Sequence, residues 1–281
     1  MPELPEVEIM VRRLTSLVGG VAVDSSLVRG IGTLKSFDPP LSDLHGREIL
    51  GFSRRSKLLI AGFEGDLSLI VHLMSAGRWQ VFDAPATPRD KTLRLSLRLA
   101  DGRDLRLREF GTKQSSWAKL VRTPALLEEP AVAKLGPEAW PDPPSLGPLL
   151  ADARPLHSAL RDQHILAGIG RSWADEILHT ARLSPFKRGN TLTDEELEIL
   201  RSAIIGRLGA ALDHYEAVVG PTIPDKLPMP LTVHGRQGQP CPRCGTTLEA
   251  VFFEDYVVAY CPACQTGGRQ LKDRRLSKLL K

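Results

Sequence analysis

The chain has 281 residues, 42% of them hydrophobic and 25% charged, with a formal net charge of +4. No apolar run approaches the ~20 residues that span a bilayer, and the acidic, amphipathic start is unlike a signal peptide. These features argue against a membrane or secreted protein and for a soluble, cytosolic one of about two domains with a sizeable core.

The chain opens Met1-Pro2-Glu3-Leu4-Pro5-Glu6-Val7-Glu8. Removal of Met1 would leave a secondary amine at Pro2 with Glu3 and Glu6 close by. An α-amino group titrates at about 7.7–8.0, against ~10.4 for lysine, so an appreciable share is unprotonated near neutrality. Such an amine can attack a carbonyl-like carbon, for example C1′ of a deoxynucleotide, and form an iminium. The same residues also make a good helix start, with proline at the first helical position and glutamate in the first turn. The segment alone leaves both readings open. A helix follows over about Leu4 to Val18, with Val7, Val11 and Leu14 on one face.

Strands come next. Leu93, Leu95, Leu97 and Leu99 alternate with Arg94, Ser96 and Arg98, and after Asp101-Gly102 the alternation resumes with Leu105, Arg106, Leu107 and Arg108. For both leucine sets to share a face the connecting loop must be odd in length, which predicts a three-residue turn at Asp101 to Arg103. A sheet with one apolar face needs a second layer, hence a β-sandwich with the first helix alongside.

Residues 122–155 hold Pro124, Pro130, Pro137, Pro141, Pro143, Pro144, Pro148 and Pro155 and read as a linker with short helices between prolines. Asp162 to Gly170 leads into a helix through about Leu178, and Gly168 and Gly170 at its entrance would let backbone N–H groups approach a phosphate. Glycines also simply make turns. Thr193-Asp194-Glu195-Glu196 is a capping box ahead of a long helix with Leu197, Leu200, Ile204, Leu208 and Leu212 inward. The predicted class is thus α+β and multidomain: 1–121 a β-sandwich, 122–155 the linker, 156–234 a helical domain, and 235–281 a cysteine-bearing segment with a basic tail.

All four cysteines fall in two C-x2-C pairs, Cys241/Cys244 and Cys261/Cys264, separated by 16 residues. Two thiolate knuckles on one hairpin suit a closed, structural zinc site. Two disulfides or a redox pair would not explain why both pairs share one spacing and one following proline. Residues 235–281 carry eight Lys and Arg against four Asp and Glu, and from Arg269 onward six basic residues face one acid. Basic charge beside a zinc hairpin is the footprint of a phosphate-binding surface, a solvated terminal helix being the alternative.

Together, PELPEVE at the start, a lysine in the first sheet, a glycine-bearing helix entrance and the terminal C-x2-C pair resemble the formamidopyrimidine-DNA glycosylase and endonuclease VIII family over nearly the whole chain. The resemblance implies a base-excision repair enzyme with abasic-site lyase activity. It would act as a monomer on double-stranded DNA carrying damaged bases or abasic sites, in the bacterial cytoplasm and on the nucleoid. It also implies a helix-two-turn-helix domain bearing a zinc-ribbon hairpin, with one structural Zn2+ on Cys241, Cys244, Cys261 and Cys264.

By the same resemblance Pro2 is the Schiff-base nucleophile, Glu3 the acid that protonates the sugar ring oxygen, Glu6 an orienting group, and Lys57 the lysine that binds a phosphate beside the lesion. His72 matches a DNA-contacting histidine. A base must leave the duplex to be reached; Arg108 and Phe110 match the wedges that fill the gap, with Met74 a candidate third. Gly170 matches the helix entrance. Departures surround this set. Arg171 stands in place of an asparagine and Tyr256 in place of the zinc-hairpin arginine, both of which normally clamp phosphates. His157 replaces a lysine, Glu109 an arginine, and Val219 to Val233 is shorter than the loop that covers 8-oxoguanine. Oxidised purines are the default substrate. An endonuclease VIII-like preference for oxidised pyrimidines or abasic sites is the alternative. A DNA-binding protein without glycosylase activity is the second, which the retained Pro2, Glu3 and Glu6 argue against; a zinc-ribbon interaction module leaves the first eight residues unexplained.

Overall fold

The computed structural model describes residues 2–30, 32–87, 89–111 and 114–271. Two compact units emerge: residues 1–134 with 212–228, and 135–211 with 229–281. The predicted basic tail beyond Leu271 lies outside the described residues.

The first unit begins with α1 (Leu4–Val18), which spans the predicted residues. Leu4, Val7, Met10, Leu14 and Val18 are all fully buried, each worth about 1.5–3 kcal/mol. That burial makes α1 a fixed element of the unit. Eight strands follow: β1 (Val23–Val28), β2 (Ile49–Arg55), β3 (Leu58–Phe63), β4 (Leu67–His72), β5 (Gly77–Phe82), β6 (Leu93–Leu99), β7 (Asp104–Glu109) and β8 (Trp117–Arg122). They form two four-stranded antiparallel sheets, in the orders β1-β6-β7-β5 and β2-β3-β4-β8, the layers of the β-sandwich, with α1 packed mainly against β2.

The β6–β7 hairpin carries Leu95 opposite Leu107 and Leu97 opposite Leu105, so the leucines do share a face. Its loop has three residues, but they are Ala100–Gly102 rather than Asp101–Arg103. Leu99 N–H donates to Arg103 O at 2.9 Å, and Gly102 N–H closes the turn on Leu99 O at 3.0 Å. Gly102 takes φ +91°, a left-handed conformation that costs glycine nothing. The opposite face departs further from expectation, since Arg94, Ser96, Asp104 and Arg106 are buried too. Asp104 accounts for part of this: it accepts from Ser96 Oγ, from Arg106 Nε at 2.9 Å and from Ala86 N–H at 2.7 Å. Hydrogen-bonded in this way, the polar half of an alternating strand can be covered by chain at low cost.

After β8 come the short helices α2 (Pro130–Ala133) and α3 (Leu146–Leu149). The second unit contains α4 (Leu156–Arg161) and α5 (Arg171–Thr180). Between them the Gln163 side chain donates to Arg161 O and Ile169 O and accepts from Gly168 N–H, fixing the double turn. α6 (Asp194–Val218) starts at the predicted capping box, with Thr193 N–H on Glu196 Oε2 at 3.0 Å and Glu196 N–H on Thr193 Oγ1 at 3.2 Å. The chain ends in the hairpin β9 (Glu249–Phe252) and β10 (Val257–Tyr260), followed by α7 (Pro262–Thr266).

Two adjacent acids of α5 anchor this last part. Glu176, 1% exposed, accepts from the backbone N–H groups of Thr232, Val233 and His234, from Thr232 Oγ1 and from Arg207. Asp175 accepts from Ala259 N–H at 3.1 Å and lies 2.7 Å from His234 Nδ1. Among the described residues no helix is long and apolar enough to cross a membrane.

Candidate functional site

Pro2, Glu3 and Glu6 are all buried at the start of α1. Glu3 is the N-cap, and its N–H donates to Glu6 Oε2 at 2.8 Å. The other oxygen of Glu6 accepts from Tyr215 Oη at 2.6 Å. Burial raises the pKa of the Tyr215 phenol far above its usual value, and the carboxylates of Glu6 and Glu3 add to the effect. The phenol therefore stays a donor. Tyr215 escaped the sequence reading because it lies 209 residues from Glu6, beyond the apolar positions used to orient α6.

Lys57 sits in the tight turn between β2 and β3 and is only 8% exposed. Leu58, next along, pairs with His72 at the end of β4, which brings lysine and histidine together. His72 stacks on Trp117 with centroids 5.8 Å apart, and its Nδ1 accepts from Met74 N–H at 2.9 Å. Burial, reinforced by the charge of Lys57, lowers its pKa to about 4. The ring is thus neutral, with its proton on Nε2.

Met74 takes φ +48°, an uncommon conformation for a residue with a side chain. Its turn meets the end of β7, where Phe110 N–H donates to Ala76 O at 3.2 Å. Phe110 is 43% exposed, and the Arg108 guanidinium lies 4.7 Å from its ring centroid. The three predicted wedge residues are therefore gathered at one end of the β5–β7 pair. Glu109, between two of them, is buried and accepts from Ser115 N–H, Ser116 N–H and Ser116 Oγ, a role in closing its own loop. The segment after α6 is held on the same sheet: Gln80 Nε2 donates to Ile223 O at 2.8 Å and to Asp225 Oδ1 at 3.0 Å, and Arg78 Nε to Asp225 O at 2.7 Å.

In the second unit Gly170 caps α5 and Arg171 opens it. Arg171 Nη1 donates to Asp255 O at 2.8 Å, and its guanidinium lies 5.0 Å from the Tyr256 ring centroid. Arg161 approaches the same ring at 4.3 Å. Tyr256 also stacks on Phe253 at 4.4 Å and on His157 at 6.1 Å. Where the resemblance expects one hairpin cation, this chain places an aromatic ring with two guanidinium groups near it. Sequence reasoning missed Arg161, which carries no motif.

The four cysteine sulfurs lie within 4.8 Å of one another. Separations of 3.4 Å for Cys244–Cys264, 3.5 Å for Cys244–Cys261 and 4.0 Å for Cys241–Cys264 bracket the about 3.8 Å edge of a tetrahedron with Zn–S bonds of ~2.3 Å. They far exceed the ~2.05 Å of a disulfide. Backbone N–H groups of Arg243 and Cys264 point at Cys241 Sγ and Cys261 Sγ, both at 3.5 Å, and His179 Nε2 lies 3.2 Å from Cys241 Sγ. Such outer contacts orient metal-bound thiolates. The set fits one structural zinc.

Comparison with known proteins agrees along the chain. Residues 1–112 match the formamidopyrimidine-DNA glycosylase N-terminal domain, 146–219 its H2TH domain, and 238–267 a zinc finger found in FPG and IleRS. A formamidopyrimidine-DNA glycosylase of Thermus thermophilus is 35% identical over 282 residues, covering 95% of this chain and 100% of that protein. One from Pediococcus pentosaceus is 34% identical over 281 residues, covering 94% and 99%. Among solved structures, a Lactococcus lactis Fpg in complex with abasic-site DNA superposes with TM-score 0.83 at 27% identity, covering 94% of this chain and 99% of that one. The MutM (FPG) protein of Thermus thermophilus gives 0.80 at 33%, covering 96% and 100%. The chain belongs to the formamidopyrimidine-DNA glycosylase family.

Proposed function

We propose that this protein is a bifunctional DNA glycosylase and abasic-site lyase of base-excision repair, with Pro2 as its nucleophile. The observation that carries this reading is the burial of Pro2 and Glu3 in one hydrogen-bonded helix start with Glu6, where a DNA-binding module needs none of the three. The Pro2 nitrogen attacks C1′ and the C1′–N bond to the damaged base breaks, the amine proton leaving with the base. Glu3 protonates the sugar ring oxygen as the C1′–O4′ bond opens, and the iminium remains on the ring-opened sugar. Loss of the 3′ and then the 5′ phosphate by β- and δ-elimination cuts the strand on both sides. Lys57 binds the phosphate beside the lesion, His72 donates from Nε2, Arg108, Phe110 and Met74 fill the vacated stack, and the Gly170–Arg171 helix start with Tyr256 contacts the backbone. Zinc holds the hairpin and takes no part in the chemistry.

In domain terms, 1–121 carries the chemistry, 122–155 links, 156–234 grips DNA and 235–281 adds the zinc hairpin. The protein works as a monomer on damaged double-stranded DNA at the bacterial nucleoid. Oxidised purines such as 8-oxoguanine and formamidopyrimidine are the default substrates. The fastening of Ile223 and Asp225 to β5 favours a second reading, preference for oxidised pyrimidines or abasic sites, because a segment held on the sheet is not free to cover a large extruded base.

Borohydride trapping on matched duplexes carrying 8-oxoguanine, an oxidised pyrimidine or an abasic site tests this. Adducts mapped to Pro2 are expected, and the duplex that traps assigns the substrate. Absence of any adduct from protein free of Met1, with DNA binding intact, would overturn the assignment.

A further inference from the structure

The Glu6–Tyr215 hydrogen bond has no part in the chemistry above, yet it ends on the group next to the nucleophile. Glu6 uses Oε2 to hold the N–H of Glu3, which belongs to the peptide plane joining Pro2 to Glu3. Oε1 is taken by Tyr215 Oη. Glu6 is 2% exposed and Tyr215 fully buried, so the contact is shielded from competing water. With that peptide plane pinned, the torsion about the Pro2 Cα–C bond alone decides where the ring nitrogen points.

We infer that Tyr215 is a positioning residue for the amino-terminal nucleophile, acting through Glu6 to fix the direction of the Pro2 nitrogen. The inference rests on the reading of Pro2 as nucleophile. A carboxylate that loses a hydrogen bond at one oxygen is freer to swing about its terminal torsion, which is broad and soft. A second, neutral donor removes that freedom without cancelling the charge. Tyrosine suits the task, because its phenol stays protonated in this setting. A hydrogen bond to the charged form also favours that form, so Tyr215 keeps Glu6 ionised to lower pH. Both effects leave DNA affinity untouched, since Tyr215 is buried and presents nothing to a phosphate.

The test is Tyr215→Phe, which keeps the ring and deletes the donor, assayed by single-turnover trapping on an abasic duplex across pH, alongside affinity for a duplex carrying a non-cleavable abasic analogue. The expected result is about tenfold slower adduct formation, an acid limb moved to higher pH, and unchanged affinity. An unmoved limb with an unchanged rate overturns the inference, as does a rate loss matched by lost affinity with the limb unmoved. Should wild type form no adduct, the nucleophile assignment is what fails. Reductive methylation of the Pro2 amine, followed by peptide mass, still reports on Tyr215 without DNA, and equal rates in wild type and Tyr215→Phe would then overturn its role.

Discussion

Arg108 Nη1 lies 3.2 Å from Asp225 Oδ1, so a residue expected to enter the duplex is tethered to the segment after α6. Asp225 is well exposed, and a pair of this kind is worth about 0–1 kcal/mol. The tether is weak enough for DNA to break. Asp225→Ala should raise affinity for an abasic duplex by up to about fivefold, the factor that 1 kcal/mol allows. Titrations of wild type and variant at one salt concentration check this; a weaker-binding variant contradicts it.

His72 links stability to pH. Its pKa falls from 6.5 in the free side chain to about 4 in the folded protein. Between these values the unfolded chain holds the proton and the folded one does not, so stability decreases as pH drops through 6.5 and levels off near 4. At about 1.4 kcal/mol per unit the loss reaches at most ~3 kcal/mol. His72→Asn, which keeps an acceptor for Met74 N–H, should flatten that part of the denaturation–pH curve.

Arg161 and Arg171 are expected to share backbone binding. Each lost phosphate contact lowers the slope of log affinity against log salt by about 0.9. Arg171→Ala and Arg161→Ala should each show such a decrease, with weaker binding at low salt. An unchanged slope in both would exclude the pair from the interface.

Glu176 gathers five hydrogen bonds inside the second unit. In Glu176→Gln the charge goes and an amide N–H2 must face donors, which costs roughly 2–4 kcal/mol. Thermal unfolding should shift downward, and amide exchange at 232–234 should quicken ahead of the rest of the chain.

Elemental analysis should find one zinc per chain. Apparent binding energies of structural zinc run at about 10–16 kcal/mol, so chelation should unfold the Cys241–Cys264 segment and abolish tight DNA binding. Full folding and binding in metal-free protein would contradict the structural role.

What the sequence revealed was local. Helix α1, the odd hairpin loop and the cysteine knuckles follow from spacing that neighbouring residues enforce. The loop began one residue early because Gly102, not Arg103, supplies the left-handed position. Asp175 and Glu176 read as ordinary helix acids, since the backbone N–H groups they accept from lie 56 to 84 residues away. Tyr215 and Arg161 were invisible for the same reason: a lone polar residue shows its purpose only when folding brings its partner.

The burial of Pro2 and Glu3 has a practical consequence. Any tag or fusion joined ahead of Pro2 would convert its amine to an amide and would need room where the helix start is already packed. Expression strategies for this protein should leave the leading end native and attach handles at the opposite end of the chain.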